Sequence, residues 1–340
     1  MLPRERVLAA LDFRAPDVIP VEYHASPAGF LEHGEKLRRL WIEEPDDFGP
    51  PDRFQIPKVS PGGRTWRDAW GVQWREELFG AGGIPFERPL ALWERWHEFK
   101  CPAVPPSSGA AFEAELSRTR RHRERYFLKS AWISLFELMH ALRPFEDVLM
   151  DIADDRPEIH ALADRLTEYH LAYIDYLISR GVDAIQFGDD FGTQSELMLS
   201  PRMWRRFFLP RYERMARRIR AGGARVFFHT CGCARGLLDD LAALGVAAIW
   251  PQLNVYDLRW LASFCRENRM AIALHPDRGE LMIRSSPQQV SRYVTELAEI
   301  FAIDRGGAWF YVEVDRGFPF ENVVALTQAI AGLRTRMTVS

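Results

Sequence analysis

From Tyr126 onward the chain alternates short β-branched or aromatic runs with longer amphipathic stretches, which leaves few folds open to it. The runs are "YFLKSAWIS" (126–134), "DAIQFGDD" (183–190), "RVFFHTCG" (225–232), "AAIWPQ" (247–252), "MAIALHPD" (270–277) and "AWFYVEVD" (308–315). "VIPVEYHA" (18–25) supplies a plausible first strand. Between them lie helical periods such as "PEIHALADRLTEYHLAYIDYLISRG" (157–181), closed by Gly181, and "SPQQVSRYVTELAEIFA" (286–302), opened by a Ser-Pro cap signal. Strands alternating with helices imply βα units and a parallel sheet.

The strand ends choose between an open sheet and a barrel. Most runs finish on polar or ionisable residues: Ser134, Asp189 and Asp190, His229 and Cys231, Gln252, His275 and Asp277, Glu313 and Asp315. An open sheet gathers ligands mainly at one switch point. A (β/α)8 TIM barrel gathers them from many strand ends on one face. No GxGxxG or Walker loop follows any strand. The expected fold is therefore a (β/α)8 barrel, a single domain over residues 1–340. It carries an irregular N-terminal extension, with 26–125 largely loop and insertion. That region is rich in Pro and Trp, with turn signals such as "SPGGR" and "GAGG". Long loops of this kind cap a scaffold or belong to an oligomer interface, which leaves room for a homodimer.

With 47% hydrophobic residues in 340, the chain can bury a large core. A net charge of −3 gives no sign of a nucleic-acid partner. The arginine runs "SRTRRHRERY" and "RRFFLPRYERMARRIR" have helical spacing and read as solvated helix faces. No apolar window is long enough for a membrane span, and "MLPRERVLAALDF" lacks a signal peptide's apolar core. Cys101, Cys231, Cys233 and Cys265 are too few and too irregularly spaced for a disulfide framework, which points to a reduced, cytoplasmic protein.

His229 and Cys231 are two apart on a predicted strand, so both face the same way, while Phe228 and Thr230 face the other. At a barrel rim that sets an imidazole beside a thiol. The pair suits zinc, but two ligands are insufficient. It is equally compatible with a buried Cys beside a hydrogen-bonded His. Glu313 or Asp315 on the last strand, or Cys233 at the turn, would supply a third ligand. Cys265 falls in a helix and Cys101 in the N-terminal region. Asp189 and Asp190, ahead of a glycine turn, suit metal binding, acid–base work or a cationic substrate, with Gln194 adding an amide. They also suit capping or an ion pair. His275 reads as a substrate donor or as a rim histidine.

Together these segments resemble the uroporphyrinogen decarboxylase superfamily over nearly the whole chain. The resemblance rests on "RERVLAALDFRAPDVIPV", "GDDFGTQSELMLSPRMWRRFFLPRY", "VFFHTCGCARGLLDDLAALGVAAIWPQ" and "PFENVVALTQAI". True decarboxylases of this kind carry an N-terminal Arg-Gln-Ala-Gly-Arg-Tyr motif that binds the substrate's carboxylates. The matching region here reads "EYHASPAGFLEHG" (22–34), with no arginine before Arg38. The cobalamin-dependent methyltransferase branch binds zinc through an HxC pair and a later cysteine. His229 and Cys231 match the pair, and Glu313 is the nearest substitute for the missing cysteine.

The resemblance implies a zinc-dependent methyltransferase acting between a small thiol- or phenol-type substrate and cobalamin, the latter free or held by a corrinoid protein. His229, Cys231 and Glu313 would hold the metal. Asp189, Asp190 and His275 would be catalytic, with Gln194, Gln252 and Tyr23 contacting substrate. The aromatic N-terminal region (Tyr23, Trp66, Trp70, Trp74) would wall off a flat substrate or pack into the core. The alternatives are a metal-free decarboxylase of porphyrin biosynthesis and a non-catalytic corrinoid or small-molecule binder.

Overall fold

The structure, a computed structural model, describes residues 1–50, 53–56, 63–77 and 82–339. In chain order the strands are β1 (Val21–Ala25), β2 (Thr65–Arg67), β3 (Gln73–Arg75), β4 (Ile84–Glu87), β5 (Lys129–Ile133), β6 (Ala184–Gly188), β7 (Arg225–Thr230), β8 (Val246–Pro251), β9 (Ala271–Leu274) and β10 (Ala308–Val314). Seven of them form one curled parallel sheet in the order β1-β10-β9-β8-β7-β6-β5. This is the expected TIM-like barrel, and all seven strands arise from the runs read in the sequence. The helix Pro287–Ile300 starts at a capping box made by Ser286 and Gln289, as its sequence signals require. Among the described residues no helix is long and apolar enough to cross a membrane.

Within residues 26–125 the chain forms the helices Pro27–Glu43 and Ala110–Arg123 and a small antiparallel sheet, β2-β3-β4. Trp66 and Trp74 stack on each other there, and Trp70 packs on Tyr169.

The barrel's eighth position is held by a segment too short and polar to read as a strand. Asp47 N–H donates to Val21 O, and Phe127 N–H donates to Asp47 O, so this segment joins the edges β1 and β5 near their starts. The side chains complete the seam: Asp47 accepts from Val21 N–H and Asp46 from Tyr23 N–H. Further along, the edges are joined by side chains, with the Lys129 ammonium 2.9 Å from Glu22.

Alternation along the strands separates two apolar sets. Ile185, Phe187, Val226, Phe228, Ile249, Phe310 and Val312 face the helices. Ala184, Phe227, Ala248, Ala271, Ala273, Trp309 and Tyr311 face inward, with Val7 and Leu11 of the helix Pro3–Leu11 packed in the same cluster. This inner layer is a packed core, and it carries the ring of residues above it.

Candidate functional site

His229 continues the inward set of β7, and Cys231 follows two residues later. The His229 Nε2 lies 3.4 Å from the Cys231 Sγ and 3.5 Å from an Asp190 oxygen. Asp190 is fixed by accepting the Cys231 backbone N–H at 2.7 Å. Ligand atoms of Asp190, His229 and Cys231 all lie within 4.8 Å of one another. This closeness depends on the two loops touching. A Cβ on Gly232 would sit 2.1 Å from the Gly192 carbonyl oxygen, and one on Gly192 would sit 2.5 Å from Cys233 N. Gly232 also has a φ of 71°, which favours glycine.

Electrostatically the cluster is a poor place for a proton on the imidazole. Burial pushes His229 down to about 3, so the ring is a neutral donor. Burial, reinforced by the nearby Asp190 carboxylate, pushes the Cys231 thiol up to about 12. Burial also raises Asp190. One nitrogen, one sulfur and one carboxylate oxygen at this spacing make a donor set that fits zinc. A cation there would favour the thiolate and carboxylate that burial opposes.

The adjacent carboxylate has a different fate. Asp189 is fully buried and accepts hydrogen bonds from Leu135 N–H (2.8 Å), Glu137 N–H (2.7 Å) and the Tyr212 hydroxyl. Burial raises it to about 7. It pins the start of the helix Phe136–Leu142 and faces away from the cluster.

Glu313 lies in the inward ring on β10, but the group around His229 and Cys231 is completed by Asp190. The Glu313 carboxylate lies 3.3 Å from the Arg278 guanidinium and 3.6 Å from His275 Nε2. Asp315 accepts the Ser26 hydroxyl proton at 2.7 Å. Cys233 donates its backbone N–H to Thr193 O. Cys265 is buried in the helix Leu258–Glu267, and Cys101 lies in the N-terminal region. Gln194 and Gln252 satisfy each other through reciprocal amide bonds of 3.3 and 3.0 Å, and Gln252 also accepts Gly232 N–H. Tyr23 is buried on the outer face of β1, stacked on Trp41.

Two adjoining chambers open at this rim. One, of about 510 Å³, is lined by the cluster together with Gln252, His275, Asp277, Arg278 and Glu313. The other, of about 750 Å³, follows the seam between β1 and β5 and includes Glu22, His24, Phe48, Lys129 and Tyr311. Trp132, Trp250 and Glu313 border both. A register shift in β5 between Lys129 and Trp132 lets both side chains point inward. The Trp132 ring lies against Gly188, where a Cβ would come within 1.6 Å of it. Trp250 sits between the two histidines, 4.2 Å from the His229 ring and 5.5 Å from the His275 ring. The Lys129 ammonium lies 5.4–5.8 Å from the ring centres of Tyr311, Trp250 and Phe48.

Lys129, Glu22, Trp132, Trp250 and Arg278 were not among the residues picked out from the sequence. Lys129 left a signal, a charge in the middle of an otherwise apolar strand, where it needs a partner.

The sequence profile described as Uroporphyrinogen decarboxylase (URO-D) matches residues 116–312, more than half of the chain. The chain belongs to the URO-D family. Among solved structures, a methyltransferase from Methanosarcina mazei superposes with a TM-score of 0.67 at 16% identity, covering 98% of this chain and 99% of that one. This likeness shows the shared fold. A B12-independent methionine synthase from Shewanella sp. W3-18-1 gives a TM-score of 0.44 at 11% identity, over 69% of each chain. Among curated proteins, the asparagine–tRNA ligase of Pyrococcus furiosus is 30% identical over 118 residues, 30% of this chain and 27% of the ligase. This URO-D family chain therefore spans about a quarter of that ligase's length.

Proposed function

We propose that this URO-D family protein is a zinc-dependent methyltransferase, moving a methyl group between a small thiol- or phenol-type substrate and a corrinoid. The carrying observation is the grouping of Asp190, His229 and Cys231 at the rim, beside an aromatic-walled chamber. Asp190 replaces Glu313 as the third protein ligand in this reading. The methyltransferase reading also draws on the HxC resemblance and on the fold shared with the Methanosarcina protein.

Zinc held by these three residues would supply Lewis acidity that stabilises the anionic form of a bound thiol, phenol or water. The chain's own residues have separable tasks. Trp132, Trp250 and Tyr311 supply flat apolar walls for the body of a small substrate and exclude water from it. Glu313, held by Arg278, keeps a carboxylate at the border of both chambers, where it can accept a proton from an entering ligand. Asp189 positions Asp190 from behind by fixing the neighbouring backbone.

A decarboxylase acting on a many-carboxylate tetrapyrrole would need cations to receive those groups. Among the described residues, each cation lining the two chambers is already matched to an acid: Lys129 to Glu22, Arg53 to Asp46, and Arg278 to Glu313 and Asp315. The deciding assay offers the zinc-loaded full chain methylcobalamin with thiol and phenol acceptors, and separately uroporphyrinogen. Methyl transfer that is lost in Asp190→Asn is expected. Efficient decarboxylation of uroporphyrinogen without methyl transfer would overturn the proposal.

A further inference from the structure

His275 follows the end of β9, and its ring meets that of Trp250 at a tilt of 54° through a specific contact. The Trp250 indole N–H donates to His275 Nδ1 at 3.0 Å. An indole nitrogen can only donate, so Nδ1 must present its lone pair. A ring protonated on Nδ1, as the other tautomer or as imidazolium, would set two N–H groups against each other. Burial and the Arg278 charge also hold the ring neutral. The proton of the neutral ring therefore resides on Nε2.

That Nε2 is buried and has no hydrogen-bond partner among the described residues. The closest carboxylate oxygen, on Glu313, is 3.6 Å away, beyond bonding range, and Glu313 is engaged by Arg278. A buried N–H is rarely left unmatched, and this one borders the chamber next to the Asp190–His229–Cys231 cluster. Among the described residues, Asp190, Asp277 and Glu313 line the same chamber with one cation, Arg278, which already bridges Glu313 and Asp315. With acids outnumbering the cation on this side of the chamber, an uncharged acceptor suits the Nε2–H better than a further carboxylate.

We propose that Trp250 locks His275 as its Nε2–H tautomer, and that this donor reads an uncharged acceptor oxygen, such as an ether or carbonyl, on the small molecule entering the chamber. This rests on the chamber being the reaction site, and it narrows the substrate class to molecules carrying such an oxygen. Trp250 is a positioning residue, since it acts through His275.

The test is nitrogen-15 NMR of the histidine-labelled full chain, with the His275 signals identified by their loss in His275→Gln. The wild type should show one tautomer, protonated at Nε2. Trp250→Phe keeps the aromatic ring but removes the N–H, and should let both tautomers appear. A wild-type ring protonated on Nδ1 would overturn the inference, even if the variant fails to fold. So would a folded Trp250→Phe variant that keeps the single Nε2–H form. For the ligand half, anisole should bind about fivefold tighter than its acceptor-free isostere ethylbenzene, and His275→Phe should remove the preference. Equal affinities, or no binding of anisole, would overturn that half. Tautomer and binding are read without zinc or methyl transfer, so failure of the proposed reaction and failure of this inference give different results.

Discussion

Two layers of side chains inside the same barrel, one two residues above the other, have opposite characters. The lower layer holds Phe227, Ala248, Ala273 and Trp309, which fill the interior with two large and two small apolar groups. The next inward position on the same strands holds His229, Trp250, His275 and Tyr311, with Glu313 one further step up β10. The backbone periodicity is identical in both layers. What changes is whether the space above is filled by protein. Below, close packing excludes any ligand. Above, the seam and the rim leave two chambers, one of them bordered by His229 and His275, each with a buried ring nitrogen that lacks a hydrogen-bond partner among the described residues. In the proposed reading the lower layer supplies rigidity and the upper layer the reacting groups.

If the layers divide stability from chemistry in this way, substitutions should separate them. Phe227→Ala should cost about 3–5 kcal/mol of unfolding free energy in urea, since it empties a large site in the packed layer. In zinc-free protein, Cys231→Ser, one inward step above His229, should stay within about 1 kcal/mol. Comparable losses for both would erase the division.

The seam belongs to both layers, and its ion pair tests how it is held. Lys129→Met leaves Glu22 buried without its cation and should destabilise the fold by about 3 kcal/mol. Adding Glu22→Leu to that variant should recover most of the loss. A double variant as unstable as the single would show that the pair is not what spans the seam.

Buried polar groups on the outer layer should influence stability alone. His170, in the helix Pro157–Ser179, is fully buried against Ser134 O, and burial lowers it to about 4. Its unfolded-state value is near 6.5, so below that the unfolded chain takes up a proton that the folded chain refuses. Stability from this group is complete above about pH 6.5 and is lost, by about 2–3 kcal/mol, as pH falls towards 4. Urea titrations of His170→Gln should show a flatter pH dependence across that window, and an unchanged slope would reject the assignment.

A smaller effect is expected at the chamber wall. Gly188→Ala must displace the Trp132 ring, at a cost of about 1–2 kcal/mol. Trp fluorescence should shift with little change in secondary structure. An unshifted spectrum would mean that Trp132 does not lie against Gly188.

The main strands could be read from the sequence because aromatic and β-branched runs stand out against helical periods. The barrel's eighth position could not. Asp46–Phe48 works through two carboxylates that receive strand N–H groups, and nothing in a two-residue acidic step announces that use. The shared face of His229 and Cys231 followed from the strand period alone. The same period already places Asp190 with Gln186 and Gly188, and turns Asp189 and Tyr23 outward, a distinction that reading Asp189 and Asp190 as one unit obscured. Glu313 lies on the inward face of β10, bordering both chambers. Its partner depended on Arg278, which arrives from the loop after β9 and has no sequence signature.

The central claim is that the upper layer holds a metal through Asp190, His229 and Cys231. Zinc content of the full chain purified without chelators tests it most directly, with Cys231→Ser and Glu313→Gln measured alongside. Close to one zinc per chain is expected in the wild type and in Glu313→Gln, and loss of more than about nine-tenths of it in Cys231→Ser. A wild type that takes up no zinc, or a Cys231→Ser variant that retains it fully, would contradict the account.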